Sequence, residues 1–146
     1  LARFQTIADA SDLSAMDKLK LMLRGEDKKA ISESSLMDLL HKPDNRELQE
    51  KLNIHTIEHL APLIAQVLEQ GNQEGDFKVA APLETIQIIL AGSQFVIDSG
   101  LFAWDDNKRA ALLVTLQTIS EKSIGLEPGA LKFITNQTGD HNERKK

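Results

Sequence analysis

The chain has 146 residues, 41% of them hydrophobic, with 22 acidic against 17 basic side chains, a formal charge of −5 and no cysteine. That is one domain's worth of sequence, long enough to bury roughly 70% of its unfolded surface without disulfides. The lack of cysteine excludes a thiolate zinc site and a cysteine nucleophile. The longest unbroken apolar run, Ala110 to Val114, falls far short of the roughly 20 residues that span a bilayer. No membrane partner and no export signal are read from the sequence, and a cytoplasmic setting is expected. An acidic chain whose aromatics are five phenylalanines and one tryptophan lacks the basic footprint that phosphate binding needs, so DNA contact would have to come from another part of the protein.

Glycines and prolines divide the chain into helical segments. Residues 1 to 10 read as the middle of a helix with no initiating methionine, so the chain is expected to be a fragment. Ser14, with Asp17 three residues on, predicts an N-cap for a helix to Arg24, with Met16, Leu19 and Leu23 on its apolar face and Gly25 as its stop. A second helix is predicted over 27–41 through Ile31, Leu36, Leu39 and Leu40, halted by Pro43. Asp44 and Glu47 resemble a capping box for the longest stretch, which runs through Leu48, Leu52, Ile57, Leu60, Ile64, Val67 and Leu68 to Gly71 and is kinked at Pro62.

Residues 72–81 are expected to be a loop. Pro82 then opens a helix through Ile86, Ile89, Leu90, Val96 and Ile97 to Gly100. Asp105 or Asp106 caps the last long helix, which carries Leu112, Leu113, Leu116 and Ile119 and closes at Ile124-Gly125. A short turn is expected within 129–135, followed by a polar tail over 136–146. No run of period-two alternation appears, so the fold class is all-α: an antiparallel bundle of about five to seven helices, with residues 1–135 as one domain.

Catalysis finds no address. The segment His55-Thr56-Ile57-Glu58-His59 matches the H-x-x-E-H pattern of inverted zinc peptidases, and two imidazoles four apart do share a helix face. The same pattern also arises when polar residues occupy the solvent side of an amphipathic helix that turns Ile57 and Leu60 inward. No distinctive acidic motif downstream offers a third ligand, so neither a metal nor a cofactor is assigned. No serine sits in a nucleophile elbow and there is no glycine-rich phosphate loop. The sequon Asn136-Gln137-Thr138 is attributed to chance.

Two binding features remain. Small residues Ala91-Gly92-Ser93 in a bulky helix, together with apolar pairs such as Ile88-Ile89 and Leu112-Leu113, suit an intermolecular four-helix bundle. The expected interface is Ile86, Ile89, Leu90, Ser93, Ile97, Leu112, Leu113, Leu116 and Ser120, joining a homodimer. Apolar residues in the first half suggest a cavity for a small apolar or amphipathic ligand near the Pro62 kink. Its expected lining is Met16, Leu19, Leu23, Leu40, Leu63 and Val67, with Phe95 and Phe102 as a wall and His59 or Gln66 as polar contacts. Trp104 and Gln94 are further candidates.

The run Gln70-Gly71-Asn72-Gln73-Glu74-Gly75-Asp76-Phe77, the helix opened by Pro82, and the endings Ser123-Ile124-Gly125-Leu126 and Gly129-Ala130-Leu131-Lys132-Phe133 resemble the C-terminal regulatory domain of TetR-family (tetracycline-repressor-like) transcriptional regulators. The likeness extends back through His41-Lys42-Pro43-Asp44-Asn45 to Met16-Asp17-Lys18-Leu19. Ala81 departs from it, standing where an aspartate often precedes the proline. The resemblance implies an obligate homodimer joined through the last two long helices, a helix in residues 1–24 that transmits ligand binding, and an N-terminal helix-turn-helix absent from this chain. It implies a repressor that a small molecule releases from its operator. The alternative is a helical protein–protein interaction domain without a small-molecule ligand.

Overall fold

The computed structural model describes residues 1–24, 45–98 and 101–136, all helix, turn or loop, with no strand among them. The all-α expectation holds. The helix predicted over 27–41, the Asp44 cap, Gly100 and the tail beyond 136 lie outside the described residues.

Helix α1 (Ala2–Asp9) leads to α2 (Ala15–Leu23), where Ser14 caps as expected: its Oγ accepts the Asp17 amide at 3.2 Å and donates to the Asp17 carboxylate at 2.7 Å. Helix α3 (Arg46–His55) starts from Asn45 without a side-chain cap and buries none of its residues; Leu48 and Leu52, expected on a packed face, remain 49% and 43% exposed.

The predicted kink at Pro62 takes the form of a π-helical turn, Thr56–Leu60, joining α3 to α4 (Ala61–Glu74). Pro62 has no N–H for the Glu58 carbonyl. Just before it the ladder widens, so that the Ala61 amide bonds Thr56 O, five residues back.

Helix α4 does not stop at Gly71, as the sequence suggested. It continues to Glu74 and ends at Gly75, whose φ of 84° is the left-handed conformation glycine tolerates. Gly71 is buried within the helix because the Phe77 ring lies against it. The loop is correspondingly shorter and tightly pinned. The Asn72 carboxamide bonds Val79 in both directions, donating to its carbonyl at 2.8 Å and accepting its amide at 3.0 Å, while the Lys78 amide donates to Ile124 O at 2.8 Å.

Pro82 starts α5 (Pro82–Ser93) as predicted, and a second π turn, Gln94–Asp98, extends it. Asp105 caps α6 (Asp106–Ile124), its carboxylate accepting the Lys108 amide at 2.7 Å. Gly125, with φ 79°, closes α6 where the Lys78 backbone passes too near for a side chain. The short α7 (Phe133–Asn136) falls at the end of the expected turn.

The core sits where α1, α2, α4 and α5 meet the ends of α6 and α7. Leu19, Ile64, Val67, Leu68 and Leu131 are its most enclosed large side chains, joined by Phe77, Val79, Ile86 and Ile124. Burying such a side chain contributes about 1.5–3 kcal/mol each. Of α6, only the last turn and a half reaches this core.

Candidate functional site

Helix α6 shows why that matters. Of its 19 residues only Ser120, Glu121 and Ile124 are buried, all in its last turn and a half. Among the described residues, the apolar side chains of α6 before its last turn lie outside the core, with Leu112, Leu113 and Leu116 half-buried. Leu112, Thr115, Leu116 and Ile119 recur at intervals of three, one and three, the spacing of a single helical stripe. On α5 and its π turn, Ile89, Gly92, Ser93 and Val96 repeat the same interval. The two stripes, with Ile88 and Ile97, line one apolar groove of about 270 Å³ that no charged side chain enters. Ile88 is 73% exposed and Ile119 51% exposed at this face.

The carbonyls freed where α5 ends are met from across the groove's far end. Trp104 Nε1 donates to Val96 O at 2.7 Å and the Arg109 guanidinium to Ile97 O at 3.0 Å. These bonds satisfy acceptors that a helix terminus leaves open and fix the π turn relative to the start of α6.

Of the expected interface residues, Ile89, Ser93, Ile97, Leu112 and Leu116 are brought together in this groove. Ile86 is buried and Leu90 packs half-buried against the core. Leu113 is half-buried outside the groove lining and Ser120 is buried. The sequence pattern singled out Ile88 and Gly92 as features of a helix–helix face without adding them to the expected interface, and did not single out for that face Val96, Thr115 and Ile119, which also line the groove. The signal was the three-and-four spacing, which runs through Ile88 or Ile89 to Gly92 rather than through Ile86 to Leu90.

The expected ligand-lining residues disperse. Leu19 and Val67 are fully enclosed in the core, with Met16, Leu23 and Leu63 half-buried around it. Leu40 lies outside the described residues. Gln66 is exposed and lines a polar cleft of about 490 Å³ beside α1, with Asp9, Ser11, Lys18, Glu69 and Gln70. His59 is exposed on the π turn.

Phe95 instead lines an apolar cavity of about 440 Å³ with Ile54, Ile57, Ala91, Asn53, Glu58 and Gln94, set between the α3 end of the π turn and the end of α5. Phe102 packs edge-on to Phe95 at 5.7 Å and stacks on Trp104 at 4.9 Å, forming an aromatic shoulder next to it. This cavity lies between the π turn that precedes Pro62 and α5, not between α2 and α4.

Two buried charges hold the frame of these surfaces. Lys18, 3% exposed, donates from Nζ to Ala8 O at 2.8 Å and to Gln70 Oε1 at 2.7 Å, tying the end of α1 to α2 and α4. Glu121 accepts the Leu131 amide at 2.9 Å, the Gln117 carboxamide at 2.9 Å and the Gly129 amide at 3.0 Å. Burial pushes its carboxyl up, but the Leu131, Gln117 and Gly129 bonds together outweigh it and hold the group below the ordinary glutamate value. At the start of α2, Glu74 accepts the Ala15 amide at 2.9 Å; the Gln70 carboxamide, then that amide, hold its carboxyl low as well.

No cluster of three metal-ligating side chains occurs among the described residues, and no helix there is long and apolar enough to cross a membrane. What the geometry offers is recognition: a two-helix apolar face beside a cavity with a few polar groups.

Among the described residues the fold is a helical bundle whose α5–α6 pair presents an apolar face. A family model described as "Tetracyclin repressor-like, C-terminal domain" matches residues 28–119, which is well over half of the chain. The chain belongs to this family of tetracycline repressor-like C-terminal domains. No curated protein matches it closely enough to add a relative. Membership makes this a regulatory-type domain, of a family that is typically non-enzymatic and for which dimerisation and ligand binding are the general roles.

Proposed function

We propose that this chain is the ligand-sensing and dimerisation domain of a cytoplasmic DNA-binding transcriptional regulator, a repressor that a small molecule releases from its operator. Two chains join through α5 and α6 as an intermolecular four-helix bundle. The apolar stripe of Ile88, Leu112, Leu116 and Ile119, which no other described element covers, is the observation that carries this reading. DNA contact belongs to a helix-turn-helix on the N-terminal side of α1, not to residues 1–135.

The cavity between Ile54, Ile57, Ala91 and Phe95 is the ligand site in this reading. It touches the π turn on one side and the end of α5 on the other. A ligand there bears on the helix that forms the dimer face and on the π turn that leads into α4, the helix to which Lys18 ties the end of α1 through Ala8 and Gln70. A dimer reads successive major grooves only when its heads stand about 34 Å apart. A ligand that prefers another spacing draws the population off the operator, by no more than its differential affinity for the two states.

The test is native mass spectrometry of the protein as purified from its host. A mass of two chains plus a small molecule supports the proposal. Bare monomer contradicts it. A bare dimer that no small molecule stabilises favours the interaction-domain reading instead.

A further inference from the structure

His55 and His59 take no part in the groove, the cavity or the core. His55 is the last residue of α3, His59 lies in the π turn, and both side chains are exposed. Their ring centroids are 4.4 Å apart, with the planes tilted by 53°. Four-residue spacing places the two imidazoles on one helical face, and the π turn keeps them there.

The separation is informative. An imidazole nitrogen binds a first-row divalent ion at about 2.0–2.1 Å, which puts each ring centroid about 3.2 Å from the metal. Two rings on one ion then stand about 4.5 Å apart at a right angle and about 5.2 Å apart at the tetrahedral angle. The observed 4.4 Å lies within reach of two rings on one ion, nearer the right-angle value than the tetrahedral one. Imidazole ligands at a right angle suit Ni²⁺ and Cu²⁺.

We propose that His55 and His59 form a two-imidazole site for a late first-row divalent cation of this kind, with water in the remaining positions. Among the described residues no third imidazole or carboxylate joins the pair. The two imidazoles act here as a clamp, and among the described residues the zinc-peptidase pattern gains no third ligand. The ion would link the last turn of α3 to the π turn. The opposite side of that turn, through Ile57 and Glu58, lines the apolar cavity.

The test uses the tag-free 146-residue chain and nickel chloride, followed by titration calorimetry at mildly alkaline pH. One Ni²⁺ is expected per chain, with affinity roughly tenfold or more weaker in His55→Ala and in His59→Ala. Because both side chains are exposed, each variant should keep the wild-type helical circular dichroism. Nickel should raise the melting midpoint of the wild type but not of His59→Ala. Unchanged nickel binding in the double variant overturns the proposal, as does failure of the wild type to take up the ion at millimolar concentration.

Discussion

The ring of Phe77 lies against the backbone of Gly71, in the space that a Cβ at position 71 would occupy. This contact lets α4 run one more turn, to Glu74, before Gly75 ends it, and seals the loop over the core. In an open helix, Gly→Ala gains about 1 kcal/mol. Here the methyl meets an aromatic ring held in the core, and overpacking costs about 1–3 kcal/mol. Gly71→Ala should therefore lower the urea midpoint. A raised midpoint would show that Phe77 gives way.

Glu121 ties the segment before α7 to α6. Glu121→Gln replaces a charged acceptor with a neutral one and should cost about 1–2 kcal/mol at neutral pH. Because the folded-state carboxyl is held below the ordinary value of 4.5, its contribution is present above that value and fades as pH falls through the lowered one. The stability gap between wild type and Glu121→Gln, measured by urea unfolding across this range, should narrow on acidification. Glu74 titrates with the same sign in both proteins, so it leaves the comparison unaffected.

The order of elements was legible in the sequence wherever a local signal had no competitor. Ser14, Pro82, Asp105 and Gly125 act through caps and ring geometry within a turn of themselves, and all four stand where expected. Gly71 misled because its reason for being glycine is tertiary: Phe77 returns across it. The expected ligand lining disperses for a similar cause. Met16, Leu19 and Val67 have helical spacing whether they line a space or fill one, and only the packing of α2 on α4 shows that Leu19 and Val67 fill it. The groove was half legible, since periodicity identifies a stripe but not which of Ile88 and Ile89 faces away from the core.

Lys18 is the buried tether of α1. Lys18→Met keeps the apolar stem but leaves Ala8 O without its donor, a loss of about 1–3 kcal/mol. Amide hydrogen exchange should quicken across residues 2–10 more than in α4. Uniform change along the chain would contradict a local tether.

Filling the cavity separates ligand binding from association. Ala91→Trp places an indole beside Ile57 and Phe95 on an exposed position, so the fold and the dimer should persist. Any small molecule that co-purifies with the wild type should be lost from this variant in native mass spectra. Retention at the wild-type level would put the ligand elsewhere.

Association through the α5–α6 face is tested by sedimentation velocity over a range of concentrations. Ile88 is 73% exposed, so Ile88→Glu leaves the core untouched while placing a charge on the apolar face. The wild type should be a dimer at micromolar concentration and the Ile88→Glu chain helical but monomeric. A wild-type monomer, or a variant that dimerises as tightly as the wild type, would contradict association through this face.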